Sequence, residues 1–232
     1  RIFHKHAVQL RENYQSMLSD LGEYKKATPS LALAAIPVIA QYGITSYIAQ
    51  FKKAYPFINF TLEEREASVV WPALGQHKFD LAFARDYNID PNIFSYFPIL
   101  VDKLMVAVSC DHRFAKKKSI SLTELSDENF IMFNKGTLIH ELSMNACRSV
   151  GLEPRVFYAT LRVASIIGMV ASNSGIALIM EKVLNYYKHS DVVAIPLDQT
   201  IESKVIIAYP KDRKLSKPAS TFLDFMKKQI DQ

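Results

Sequence analysis

Between Asp80 and Arg85 the chain reads Leu81-Ala82-Phe83-Ala84, four apolar residues in a row without alternation. A strand with one face in water alternates apolar and polar side chains, so unbroken burial requires cover on both faces. Comparable short runs recur at "LALAAI" (31–36), "KLMVAVS" (103–109), "FIMF" (130–133), "GIALIM" (175–180) and "KVIIAYP" (204–210). Helical stretches lie between them. Residues 39–55 place Tyr42, Ile44, Tyr47, Ile48 and Phe51 at helical spacing until Pro56 stops the pattern. "FINFTLEE" (57–64) then reads as a strand, "SVVWPALGQ" (68–76) as a short helix that Pro72 kinks or opens, and "FSYFPI" (94–99) as a strand. This alternation predicts an α/β fold with mostly parallel sheets covered on both sides.

The scheme repeats after residue 102. "TLIHELSMNACRSV" (137–150) reads as a helix ended by Gly151, "PRVFYAT" (154–160) as a strand, and "RVASIIGMVASN" (162–173) as a helix. "VVAIP" (192–196) adds a strand, and "KPASTFLDFMKKQI" (217–230) a last helix opened by Pro218. Two βαβαβ units joined by "FPILVDK" and again by "IPLDQTIESK" predict two Rossmann-like lobes with two crossover connections. Lobe I would comprise residues 28–99 plus 200–232 and lobe II residues 102–197. Ligands of open α/β sheets sit outside the carboxyl ends of the strands, so the crevice between the lobes is the expected site, and Arg85 stands at one such end.

Ahead of the lobes, Phe3, Ala7, Leu10, Tyr14, Met17 and Leu21 alternate steps of four and three between polar residues. That spacing predicts a helix over 1–24, ending near Gly22, with a narrow seam suited to a second copy of itself; lying along its own domain is the other reading. The net charge of +5 is mild, and Lys116-Lys117-Lys118 reads as a solvated loop. With no arginine-rich helix, zinc finger or RNA-binding signature, these residues are not expected to grip DNA. Two cysteines, Cys110 and Cys147, are too few for a disulfide framework and suit a reduced, cytoplasmic protein. No apolar run reaches the roughly 20 residues of a membrane span, and "RIFHKHAVQLRENYQ" is no signal peptide.

The segments "IAQFKKAYPFINFTLEE", "ALGQHKFDLAFAR", "FPILVDKLMVAVSCDHRFA", "CRSVGLEP" and "LSKPASTFLDFMK" together resemble the effector-binding region of LysR-type transcriptional regulators. "MVASNSGIALI" is similar to that family's habitual "VAAGxGIALLP". The resemblance covers residues 28–232 and implies a type 2 periplasmic-binding-protein-like fold, with residues 1–24 as the tail of the linker helix that pairs subunits. It implies a homodimer or homotetramer, a small effector such as an organic acid or amino-acid derivative, and DNA contact only through a domain outside this chain. No cofactor, metal or membrane partner is implied.

Mapped onto this sequence, the resemblance puts the effector near Pro37 and Val38, Ala67 and Ser68, Arg85, Thr137 and Ile139, and Val163. Val38 stands where many relatives carry Ser or Thr, which points to a more apolar ligand or to binding by backbone amides; simple packing is the other reading. Ser68 reads first as a helix N-cap beside the cleft, and Thr137, at a helix start, as an oxyanion donor together with the amides that follow it. Lys135 and Arg162 are either cleft charges or solvated, and Met180 lines the pocket or only the core. Arg85 is a charge partner for ligand or opposite lobe, or pairs with Asp86 or Glu66. No GxSxG, HExxH, Walker A or GxGxxG pattern is present, and the six histidines are dispersed, so no enzyme is expected. A transporter's solute-binding protein shares the two-lobe architecture and is the alternative; it predicts an export signal and a monomer. A redox sensor would need Cys110 and Cys147 to meet.

Overall fold

A computed structural model describes the backbone of residues 2–24, 29–87 and 89–230 and the side chains of 6–18, 29–87 and 89–230. The element order is α1 (Ile2–Tyr24), β1 (Ser30–Ala35), α2 (Ile44–Ala54), β2 (Asn59–Glu64), α3 (Ala67–Gly75), β3 (Leu81–Arg85) and β4 (Phe94–Ser109). There follow β5 (Asn129–Phe133), α4 (Leu138–Ser149), β6 (Arg155–Thr160), α5 (Val163–Ala171), β7 (Ala177–Met180), α6 (Glu181–Tyr187), β8 (Val192–Pro196), β9 (Glu202–Pro210) and α7 (Lys217–Ile230).

The apolar run 81–84 is buried on both faces. Leu81 and Phe83 join the large core with Leu31, Leu33, Phe51 and Phe222, while Ala82 and Ala84 join a second cluster with Ala34, Val70 and Leu74. Large side chains thus face α2 and α7, and alanines face α3. The small residues let α3 approach the sheet closely, and the large ones fill the opposite layer.

β1 pairs in parallel with β2 and β3, and β5 with β6. The remaining named pairs are antiparallel: β9 lies between β3 and β4, and β4 also pairs with β7 and β8. The expectation of mostly parallel sheets is therefore corrected to two mixed ones. The reason is that each crossover strand enters a lobe against the run of its own strands. β4 and β9 are also longer than expected. They stay hydrogen-bonded through the crossing, from Phe94↔Pro210 to Lys103↔Glu202, with one register shift between Pro98 and Leu100. The two connections form one antiparallel ribbon, and along it β4 changes from half-exposed to fully buried at Leu104. The two-lobe, two-crossover fold stands.

Gly175 shows why the "GIAL" stretch needs glycine. A Cβ there would lie 2.5 Å from the Asn129 carbonyl oxygen, where Ile176 bonds to Asn129 and Ile131 to Ile176 to stitch β7 onto β5. Several boundaries moved. α2 starts at Ile44 because residues 37–43 are turns ended by Gly43 at φ 71. Two elements were unforeseen: α6, which follows β7 directly, and a 3₁₀ turn at Leu122–Leu125, ahead of β5, opened by a Ser121/Glu124 capping box.

α1 runs to Tyr24, two residues past Gly22. Leu10, Tyr14 and Met17 of its seam are exposed in the single chain. The side chains of Phe3 and Leu21, and residue 28 at the expected start of lobe I, lie outside the described residues. No helix among the described residues is long and apolar enough to cross a membrane.

Candidate functional site

The carboxyl ends of β1, β2 and β3 in one lobe face those of β5, β6 and β7 in the other across a cavity of about 80 Å³. Pro37, Val38, Ala67, Arg85, Thr137, Ile139 and Val163 all line it. The sequence-derived residues are therefore brought together with one exception. Ser68 is exposed in the first turn of α3 and does not line the cavity, because α3 begins one residue early and Glu66 takes the N-cap position. Ile36, Phe133, Leu138, Leu161, Ile179, Met180 and Val183 complete an apolar wall, so Met180 is both core and lining. Lys135 lies instead on a depression of about 640 Å³ on lobe II beside Glu141, Arg148 and Glu153, where Arg148 is paired with Glu153 at 3.5 Å. Arg162 is exposed and outside the cavity lining.

Arg85 is 4% exposed. Its partner is neither Asp86 nor Glu66 but a buried network reached through Tyr42. Arg85 Nη2 donates to the Tyr42 oxygen, and Tyr42 Oη donates to Asp102 Oδ2 at 2.7 Å. Asp102 Oδ1 accepts from the amides of Lys103 at 2.9 Å and Lys182 at 3.1 Å, and Arg85 Nη2 lies 4.0 Å from Oδ2. Burial pushes the Tyr42 phenol pKa well above its ordinary value; Arg85 opposes this and Asp102 adds to it. The phenol therefore stays protonated and keeps donating. Asp86 is engaged elsewhere, accepting from the amide of Lys204 at 2.8 Å and from Ser203 Oγ at 3.2 Å.

The network joins the lobes, because Tyr42 follows β1, Asp102 sits in the crossover ribbon and Lys182 opens α6. Two further hydrogen bonds bridge the lobes. Asn145 of α4 donates to Tyr87 Oη, and Gln41 donates to Tyr187 Oη at 3.3 Å. What the network leaves over is Nη1 of Arg85, a buried donor with no acceptor among the described residues. A buried donor without a partner costs free energy that a ligand oxygen would recover.

Thr137 caps α4. Its hydroxyl donates to the Asn134 carbonyl at 2.9 Å and accepts from the His140 amide at 3.2 Å. The hydroxyl proton is thus committed to the loop, and the free donors at this end are the amides of Leu138 and Ile139, which have no acceptor among the described residues. They add the positive end of the helix dipole to the cleft.

Glu66 is the one acid lining the cavity. Burial pushes its carboxyl pKa above the ordinary range. The folded state then holds this proton to higher pH than the unfolded state, so ionising Glu66 costs stability. Glu66→Gln should raise the melting temperature at pH 7, and the gain should disappear as pH falls through the carboxylate range. Thermal unfolding across that range checks this; a lower melting temperature at pH 7 would show that the carboxylate has a favourable partner.

Cys110 and Cys147 are both free thiols, one exposed and one buried. Burial, with Glu153 nearby, pushes the Cys147 thiol up to about 11, which disfavours the reactive thiolate.

The family model for the LysR substrate binding domain matches residues 25–231. This chain belongs to the LysR substrate binding domain family. The domain is 31% identical over 214 residues to the HTH-type transcriptional regulator YwbI of Bacillus subtilis, a match covering 92% of this chain and 70% of that protein. Among solved structures, the regulatory domain of CcmR from Synechocystis PCC6803, in complex with 2-PG, superposes with TM-score 0.79 at 24% identity, covering 88% of this chain and 98% of that one. HinK of Pseudomonas aeruginosa, a LysR family transcriptional regulator, superposes with TM-score 0.74 at 21% identity over 97% of this chain and 80% of that one. Membership makes this LysR domain a regulator's sensing module rather than an enzyme.

Proposed function

We propose that this domain holds a small effector in the inter-lobe cavity and converts its presence into a change of lobe geometry. The observation that carries the reading is the buried Arg85 Nη1 without an acceptor, set in an apolar cavity between two lobes. Lobe I (28–99 with 200–232) and lobe II (102–197) then move about the β4–β9 ribbon. The ligand shifts that equilibrium only by its differential affinity for the two arrangements. Pro37, Val38, Ala67 and Arg85 contact it from one lobe, and Ile139 and Val163 from the other. In the parent regulator, which is cytoplasmic, the movement reaches DNA-binding heads through α1, whose exposed Leu10, Tyr14 and Met17 pack against a second copy. The regulatory domain of CcmR, which shares this fold, is described in complex with 2-PG, and this supports a small molecule as the kind of ligand.

A thermal-shift screen with small carboxylates, amino acids, nucleotides and aromatic acids tests this. A ligand at 100 times its dissociation constant should add about 2.7 kcal/mol of stability. Val38→Trp, which fills the cavity from a half-buried position, should abolish the shift while leaving the ligand-free protein folded. A hit that binds the variant unchanged would place the ligand elsewhere and end the reading.

A further inference from the structure

Of the fifteen residues lining the cavity, three are polar: Glu66, Arg85 and Thr137. The Thr137 proton is held by Asn134, which leaves one cation and one anion to read a ligand. Arg85 offers the unpartnered Nη1, and Leu138 and Ile139, whose amides are unpartnered among the described residues, line the same cavity. Glu66 makes no side-chain hydrogen bond or ion pair among the described residues. The cation next to it in sequence, Arg65, turns instead to Glu63 at 2.9 Å. An acceptor-only carboxylate with no protein partner among the described residues and a donor-only guanidinium with one buried, unfilled N–H thus line one apolar cavity.

Charge balance narrows the ligand. Asp102, 4.0 Å from Arg85, already offsets the guanidinium. A monocarboxylate would bring a second negative charge beside Glu66, and a dicarboxylate a third. A zwitterion adds none, and each of its ends meets an unfilled partner. Size narrows it further. At about 10–15 Å³ per water-sized group, 80 Å³ admits about five to eight such groups. Apart from Glu66, Arg85 and Thr137, the lining is apolar, so the remainder of the ligand is hydrocarbon.

Resting on the effector reading above, we propose that the ligand is a compact apolar α-amino acid: its carboxylate lies on Arg85 and the first amides of α4, Glu66 takes its ammonium, and its side chain fills the apolar wall. Glu66 is then the specificity residue. The half-burial that raises its pKa also strengthens its pairing with an ammonium group.

Calorimetric titration with L-alanine, L-2-aminobutyrate and L-valine, against 3-methylbutanoate as the valine skeleton without its amino group, tests this. At least one amino acid should bind. 3-Methylbutanoate should bind at least about tenfold more weakly than L-valine, the effect of losing one charge-assisted hydrogen bond. Glu66→Gln should weaken L-valine and strengthen the deamino acid, whose charge no longer meets a carboxylate, so that the preference for L-valine is lost. Equal binding of the two acids, an L-valine affinity indifferent to Glu66→Gln, or no binding by any of the three amino acids would overturn the ligand class. In each of those cases a screening hit that Val38→Trp abolishes keeps the effector reading; a hit that survives Val38→Trp removes both.

Discussion

Replacing Arg85 by methionine should lower the unfolding free energy by about 3–5 kcal/mol, the cost of leaving a buried charge without its counter-charge. For a chain of this size that is a fall in melting temperature of roughly 10 °C. The orphan is Asp102, whose side chain is fully buried and which would keep only Tyr42 Oη and two backbone amides. Arg85 also holds Tyr42, whose bond to Asp102 ties the end of β1 to the crossover ribbon, so the loss should also loosen the lobes. Removing both charges, as Arg85→Met with Asp102→Leu, should cost less than the sum of the single changes, because neither charge is then left alone. Denaturant unfolding of the two single variants and the double variant settles it. Strictly additive costs, or a loss under about 1 kcal/mol for Arg85→Met, would mean that solvent or another group serves Asp102.

Phe222→Ala should cost about 3–5 kcal/mol, through lost burial and the cavity left behind. The ring is completely buried and is the meeting point of α7 with the sheet and α2. Its centroid lies 4.8 Å from that of Phe51 at 81°, 6.1 Å from that of Phe83 at 80° and 6.3 Å from that of Phe60. Edge-to-face contacts of this kind add to the area term. α7 belongs to the final return of the chain to lobe I, so this substitution also tests whether that return is integral to the lobe. Phe222→Leu should retain most of the stability. A cost for alanine below about 1.5 kcal/mol, measured by chemical denaturation, would show that the layer under α7 collapses around the gap.

For function, the two variants separate two things that the same fold must do. Phe222 holds one lobe together and should leave lobe–lobe geometry intact as long as the lobe is folded. Arg85 lies where the lobes meet the cavity, so its loss should remove ligand response even under conditions where the protein remains folded.

The apolar tetrad 81–84, the helical spacing of residues 44–51 and 217–230, and the Gly151 and Pro56 stops placed most elements to within a few residues. These signals are local: periodicity and backbone restriction act over one or two turns of chain. The ordered set of weak motifs over residues 28–232 was enough for the family. Seven of the eight residues named from the resemblance line the cavity, because they lie at or soon after strand ends that face the cleft.

The tertiary structure decided the rest. Nothing local marks Asp102 as the acid for Arg85, since Tyr42 and Asp102 reach it from 43 and 17 positions away in the chain. Ser68 fell outside the cavity through a one-residue shift in a helix start, and the Thr137 proton went to a carbonyl three residues back. The crossover segments became one antiparallel ribbon because their amides found each other across the lobes. In each case hydrogen-bond satisfaction in a buried place chose among partners that sequence distance does not rank, and the same selection left Arg85 Nη1 unfilled.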